Sequence, residues 1–183
     1  MLLIGFAGFG SAGKTTAIQY LEQQGFGRRV YLGEAVFEEI ARRGLERTPA
    51  VERAVRMELR SNLGPSAFAD LKAPHIADLI SKRESVLVDA IFNVEEYTKL
   101  RSCGQTRSVL IAIEASYETR SGRLGARTDR ECTPDELRER DQTEMYALGT
   151  PSVMKAADFM VPNERSFSDF YDDLSALWKR IVS

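Results

Sequence analysis

Residues 8–16 read GFGSAGKTT, preceded by the apolar run MLLIGFA (1–7) and followed by AIQYLEQQ (17–24). Gly8, four residues, then Gly13-Lys14-Thr15 is the spacing of a phosphate-binding loop, and the flanks predict the strand–loop–helix context it requires. Glycines at 8, 10 and 13 let the backbone N–H groups around Ser11 and Ala12 curl about phosphate oxygens without Cβ clashes. The helix beginning at Thr15 aims its positive dipole end at the same anion. Lys14 can bridge a β- and a γ-phosphate, the Thr15 hydroxyl can ligate Mg²⁺, and Thr16 is placed for a further phosphate contact.

Around this loop, 183 residues with 43% hydrophobic content are enough for one compact domain. A formal net charge of −2 advertises neither nucleic acid nor membrane as a partner. Cys103 and Cys132 share no short spacing with each other or with His75, which argues against a zinc site or disulfide scaffold and suits a reducing cytoplasm. The N-terminal apolar run is too short for a membrane span, and no signal-peptide cleavage pattern follows it.

Short apolar runs predict strands at 2–7, 29–32, 86–89, 108–113 and 159–161. Helix-period stretches lie at 15–24, 35–43, 50–62, 67–81, 95–102, 117–126, 134–148 and 167–181. Thr133-Pro134-Asp135-Glu136 is a capping box with proline at the first helical position, and Ser166-Phe167-Ser168-Asp169 pairs a cap with an acidic first turn. Alternating strands and helices imply an α/β fold with a parallel sheet covered on both faces. The helical insertion at 34–84 is where such a fold could carry a substrate-specific cover.

Three further groups bear on chemistry. Asp89 ends the buried run SVLVD, at the strand end where a carboxylate can reach a loop-bound magnesium, or it caps the next turn. Glu34, after the second strand, could accept a substrate proton or orient a metal-bound water; it could equally stabilise the first turn of its helix. Arg120, Arg123 and Arg127 share a helical face, and the polar stretch 125–132 could close as a flap over transferring phosphate. Of the arginines here, Arg123, Arg127 and Arg140 are the functional candidates; Arg120, Arg130 and Arg138 read as a solvated face among glutamates.

Taken together, GFGSAGKTT, GEAVFEEIARRGLERT (33–48), VDAIFNVEEYTKLR (88–101), ERDQTE (139–144) and ADFMVPNERSFSDF (157–170) resemble the nucleoside monophosphate kinase-like branch of P-loop kinases. The likeness is strongest to the small adenylate-kinase-related or dephospho-CoA-kinase-related proteins common in archaea, and it spans nearly the whole chain. It implies a P-loop kinase fold with a five-stranded parallel sheet in order 2-3-1-4-5, a short lid at about 125–133, and ATP-Mg²⁺ as donor. By the same likeness Arg123 stacks on adenine, Arg127 clamps donor phosphates, and Arg140 touches donor and acceptor phosphates. Pro162 and Asn163 then lie where the adenine edge is read, and residues 34–84 form the acceptor region.

The chain departs from that family where the acceptor phosphate is usually held. Relatives carry an arginine three residues after Gly-Asp, and another in Asp-Gly-x-Arg after the third strand. Here those positions are Phe37 and Phe92, behind Gly33-Glu34 and Asp89-Ala90. Both phenylalanines could stack a base or belong to the core. Arg53, Arg56 and Arg60 step along one helix face and could rebuild a phosphate clamp, or stand as a solvated face. The resulting expectation is an ATP-dependent kinase acting on a nucleotide-like small molecule such as a nucleoside monophosphate or dephospho-CoA. The alternatives are a kinase acting on a nucleotide or base within DNA or RNA, and a nucleotide-binding switch without transfer.

Overall fold

The computed structural model describes residues 1–124 and 132–183. The expected lid, with Arg127 and Arg130, falls largely outside the described residues. β1 (Leu2–Ala7) is buried at every position, as an apolar run flanked on both sides must be. It pairs in parallel with β3 (Val86–Ile91) on one side and β4 (Arg107–Glu114) on the other. β2 (Arg28–Tyr31) joins β3, and β5 (Phe159–Pro162) joins β4. The five-stranded sheet has the order β2-β3-β1-β4-β5, so the order implied by the resemblance is the one found.

Helices cover both faces. α1 (Lys14–Gln23) and α9 (Phe167–Val182) pack on one, where Ile18, Leu21, Phe170 and Leu174 meet Ile4, Phe6 and Ile111. Tyr20 stacks on Tyr171 and Phe26 on Trp178, each pair with ring centroids 4.4 Å apart. The opposite core gathers Val36, Ile40, Val55, Phe68, Ile76 and Leu100 against Leu3, Val88 and Ile91. Those residues come from α2 (Glu34–Arg42), α3 (Pro49–Leu63), α4 (Ala67–Ser81) and α5 (Val94–Arg101). α6 (Tyr117–Gly122) follows β4. Among the described residues, no helix is long and apolar enough to cross a membrane.

Both capping signals read from the sequence form reciprocal boxes, at Thr133/Glu136 and Ser166/Asp169. The helix expected at 134–148 needs correction. α7 (Pro134–Gln142) gives way to a π-helical turn, Thr143–Ala147, in which the Leu148 N–H reaches back to the Thr143 carbonyl at 3.1 Å. The extra residue in that turn has a tertiary cause, described below. After Gly149 (φ 78°) comes α8 (Thr150–Lys155), six residues and too short to show a period in sequence.

The register between β1 and β3 shifts after Gly5↔Val88, resuming at Ala7↔Ile91. Ala90 lies inside this irregularity with φ 72°, a left-handed conformation that costs a non-glycine residue about 1–2 kcal/mol. That strain would be relieved by a glycine, the residue the family resemblance implies here. The bend places Asp89 and Phe92 at the mouth of the sheet beside the phosphate loop.

Candidate active site

The loop between β1 and α1 has little conformational freedom to spare. Gly8 (φ +141°) and Gly13 (φ +107°) both occupy backbone that L side chains rarely adopt. A Cβ on Gly13 would lie 2.3 Å from Asn163 Nδ2, and one on Gly10 2.8 Å from Arg140 Nε. Ser11, at φ 63°, completes the curl.

Lys14 is buried, and its Nζ donates to the carbonyls of Gly8 (2.6 Å) and Phe9 (2.9 Å). Burial lowers its pKa to about 8, against the opposing pull of the Glu144 carboxylate. The ammonium also lies 5.6 Å from the centre of the Phe92 ring. Next to it, Thr15 Oγ1 donates to Asp89 Oδ2 at 3.1 Å. The structure thus brings together two oxygens suited to magnesium from positions far apart in the chain. The same Asp89 oxygen accepts from Arg29 Nε (3.1 Å) and Nη2 (2.7 Å). Arg29 was not among the sequence candidates: at the start of a strand it looks like a solvent-facing charge. Among the described residues no cluster of three or more His, Cys, Asp or Glu could hold a metal by itself. A magnesium held at Thr15 and Asp89 would therefore draw its other ligands from phosphate and water.

Arg120 corrects the reading of a solvated face. It is 5% exposed, forks onto Asp141 with two 2.7 Å hydrogen bonds, and donates through Nη1 to the Gly10 carbonyl at 3.1 Å. It therefore buttresses the loop from behind. Arg138 is exposed and pairs with Asp135 at 2.8 Å, as a surface charge should. Arg140 reaches over Gly10 and pairs through Nε with Glu144 Oε1 at 2.7 Å, while Glu144 Oε2 accepts the Gly10 N–H at 2.8 Å. These contacts fix Glu144 inward and account for the wide turn that carries it. Only the tertiary fold reveals this carboxylate, since in sequence it is one more glutamate on a polar helix.

On the side where the resemblance puts adenine, Asn163 is 2% exposed and donates through Nδ2 to the Ala12 carbonyl at 2.8 Å. Arg123 Nη2 donates to the Asn163 carbonyl (2.8 Å) and Oδ1 (3.2 Å), and Arg123 Nη1 is buried with no hydrogen-bond partner among the described residues. Pro162 is exposed beside them. The loop, Arg123 and Asn163 therefore form one connected wall.

On the opposite side, Glu34 begins α2 and pairs with Lys72 Nζ at 2.7 Å; Lys72, only 4% exposed, also holds Glu38 at 2.6 Å. Burial pulls the Lys72 pKa down, yet the two carboxylates outweigh it and the net shift is upward. Phe37 packs on the core, with Tyr31 at 6.1 Å between ring centroids and the Arg47 guanidinium 3.6 Å from its ring centre. The three arginines of α3 separate: Arg53 is exposed, Arg56 lies 4.0 Å from Glu52, and Arg60 turns inward. Arg60 and Asn93 line a cleft of about 420 Å³ together with Tyr146, Gly149 and Ser152. Arg60 stands over Phe68 at 4.5 Å and meets Glu96 at 3.6 Å, with its Nε and Glu96 Oε1 making no hydrogen bond. Burial raises the fully enclosed Glu96 carboxyl to about 7.

With this geometry in hand, the comparisons with known proteins fall into place. No protein-family model matches the chain. It is 36% identical over 184 residues to a UPF0200/UPF0201 protein of Archaeoglobus fulgidus, covering 100% of this chain but 56% of that protein. UPF0200 proteins of Hyperthermus butylicus and Methanocaldococcus jannaschii are each 32% identical; the chain covers 95% and 92% of them, and they align with 99% and 100% of it. Among solved structures, the dephospho-CoA kinase of Campylobacter jejuni superposes with a TM-score of 0.60 at 14% identity, over 99% of this chain and 98% of that one. The shikimate kinase of Bacteroides thetaiotaomicron gives 0.59 at 13% identity, over 100% and 99%. At such identities these likenesses establish the P-loop kinase fold. The relatives of Hyperthermus butylicus and Methanocaldococcus jannaschii, matched along more than nine-tenths of their length, establish that the chain belongs to the UPF0200 family.

Proposed function

We propose that this protein is a phosphotransferase that moves the terminal phosphate of ATP to a nucleotide-like small acceptor. The observation that carries this reading is the convergence on one loop of a buried Lys14 ammonium, a Thr15–Asp89 oxygen pair 3.1 Å apart, and glycine backbone with no room for a Cβ. A structural lysine has no reason to be desolvated beside a curled glycine loop, whereas a phosphate cradle needs that arrangement.

ATP-Mg²⁺, when bound, would supply the transferable phosphoryl group and a divalent cation that offsets the negative charge on the phosphate oxygens. Lys14 and the loop N–H groups bind the phosphates. Thr15 and Asp89 hold the metal, and Arg29 fixes the Asp89 carboxylate in position. Arg140 sits over Gly10, where charge develops during in-line transfer; Arg127 is assigned to the same task from its place in the sequence. Arg123, Pro162 and Asn163 shape the base-side wall. Phe92, Phe37 and Glu34 border the acceptor side, with Arg60 as a cation for an acceptor's anionic group. Glu34, held by Lys72, orients an acceptor hydroxyl; if the acceptor is a phosphate, its oxygen is already anionic and no base is required.

The test is incubation with ATP-Mg²⁺ and a panel of nucleoside monophosphates, dephospho-CoA, nucleosides and oligonucleotides, followed by detection of phosphorylated product. Transfer to a member of the panel supports the reading, and tight ATP binding with transfer to none would sink it. Binding should also depend on pH with a defined sign. Polyphosphate beside Lys14 favours its charged form, so the bound-state pKa lies above about 8. Affinity for ATP-Mg²⁺ should then fall by up to about tenfold per pH unit above that value, with uptake of a proton on binding. Calorimetry in two buffers of different ionisation enthalpy measures both, and an affinity that stays flat through the Lys14 pKa of the free protein, located by titration, would exclude Lys14 as a phosphate ligand.

A further inference from the structure

Glu144 reaches the phosphate loop from the turn 143–147, yet it has no task in the transfer chemistry. It is 2% exposed, and among the described residues its carboxylate takes two strong donors, the Gly10 N–H at 2.8 Å and Arg140 Nε at 2.7 Å. Arg140 lies close enough over Gly10 that the amide, the guanidinium and the carboxylate form one closed cluster. A loop amide and an arginine are also the two donors that a phosphate oxygen takes at such a loop. Two anions cannot share them, because at this depth the repulsion between a carboxylate and a polyphosphate is only weakly screened.

The turn that carries Glu144 has a second face. Within the π-helical turn Thr143–Ala147, Glu144 points to the loop while Tyr146 and Ala147 line the cleft beside Arg60. Tyr146 is 81% exposed. A π-turn is less stable than the α-helix it interrupts, so losing the contact that pins it favours rearrangement. Burial lowers the Arg60 pKa, opposed first by the Glu96 carboxylate and last by Glu144.

Resting on the kinase reading, we propose that Glu144 is an internal competitor for the donor phosphate. Nucleotide binding takes the Gly10 amide and Arg140 from the carboxylate, frees the turn 143–147, and so moves the wall of the Arg60 cleft. Glu144 is thus a positioning residue that links donor entry to the acceptor side.

Glu144→Gln tests this, because its side-chain carbonyl can still accept the Gly10 N–H while the negative charge is gone. At about pH 6, low enough to keep Lys14 charged once the Glu144 carboxylate that supports its pKa is gone, calorimetry should show ATP-Mg²⁺ binding at least about fivefold tighter to the variant than to the wild-type protein. Equal or weaker binding overturns the proposal, weaker binding being what a purely structural role would give. Hydrogen exchange on the wild-type protein decides the matter even if the variant folds poorly. Saturating ATP-Mg²⁺ should speed exchange at the amides of residues 143–148, and slower or unchanged exchange there overturns the proposal. Absence of nucleotide binding to both proteins would remove the kinase reading as well; equal binding to both removes only this one.

Discussion

Lys14→Met will lower phosphate transfer by at least about a hundredfold to a thousandfold, the range seen when one preorganised donor to a transition-state oxygen is removed. Methionine keeps an unbranched side chain of nearly the same reach, one atom shorter and without the ammonium, so the loss reports mainly on the charge. Folding should suffer little. The variant leaves the Gly8 and Phe9 carbonyls without the Nζ donor, but it also removes an ammonium that burial already drives toward neutrality. The opposing changes are each of order 1–3 kcal/mol, and the melting temperature should move only a few degrees. Turnover is measured with labelled ATP, using the acceptor found in the panel or water itself. A Lys14→Met protein that keeps its fold and works within a factor of about ten of wild type would contradict the role assigned to this residue.

Gly8→Ala will destabilise the protein by about 3 kcal/mol or more and abolish nucleotide binding. The reason is twofold. Gly8 has φ +141°, and a Cβ there would stand 2.4 Å from the carbonyl oxygen of Ile113. Ile113 is fully buried in β4, which is paired on both sides, so its carbonyl has nowhere to retreat. Gly25→Ala is the matched comparison: its φ is +74°, but no atom lies within 4 Å of the added carbon. That change should cost only the backbone strain, about 1–2 kcal/mol. Urea unfolding of the two variants side by side measures the difference. If they lose the same stability, the collision with β4 is not what makes glycine necessary at position 8.

What could be read from the chain alone shares one property: it is encoded locally. The loop declares itself because consecutive residues meet one anion, and β1 because a strand buried on both faces is a continuous apolar run. Thr133 and Ser166 announce their helices through partners three residues away. Asp89 could be placed near Thr15 because a strand end and a loop at the same edge of a parallel sheet must be neighbours. Arg29, Lys72, Arg120 and Glu144 carry no such signal. Arg29 meets Asp89 from 60 residues away, and Glu144 meets Gly10 from 134. Lys72 sits on a helix that also carries Asp70, His75 and Asp78, so nothing local marks it as buried, and Arg120 sits in a run of charges that looks solvated until Asp141 folds against it.

The sequence by itself therefore determined that a phosphate cradle opens a parallel α/β sheet, since periodicity, glycine spacing and caps act over a few residues. Only the tertiary structure decided which buried charges meet in that cradle. Pairing of ions depends on depth and distance between segments far apart in the chain, and neither is written in the order of the residues. Glu144 shows the difference most clearly: it is one glutamate among several on a polar helix until the fold seats it against Gly10 and Arg140.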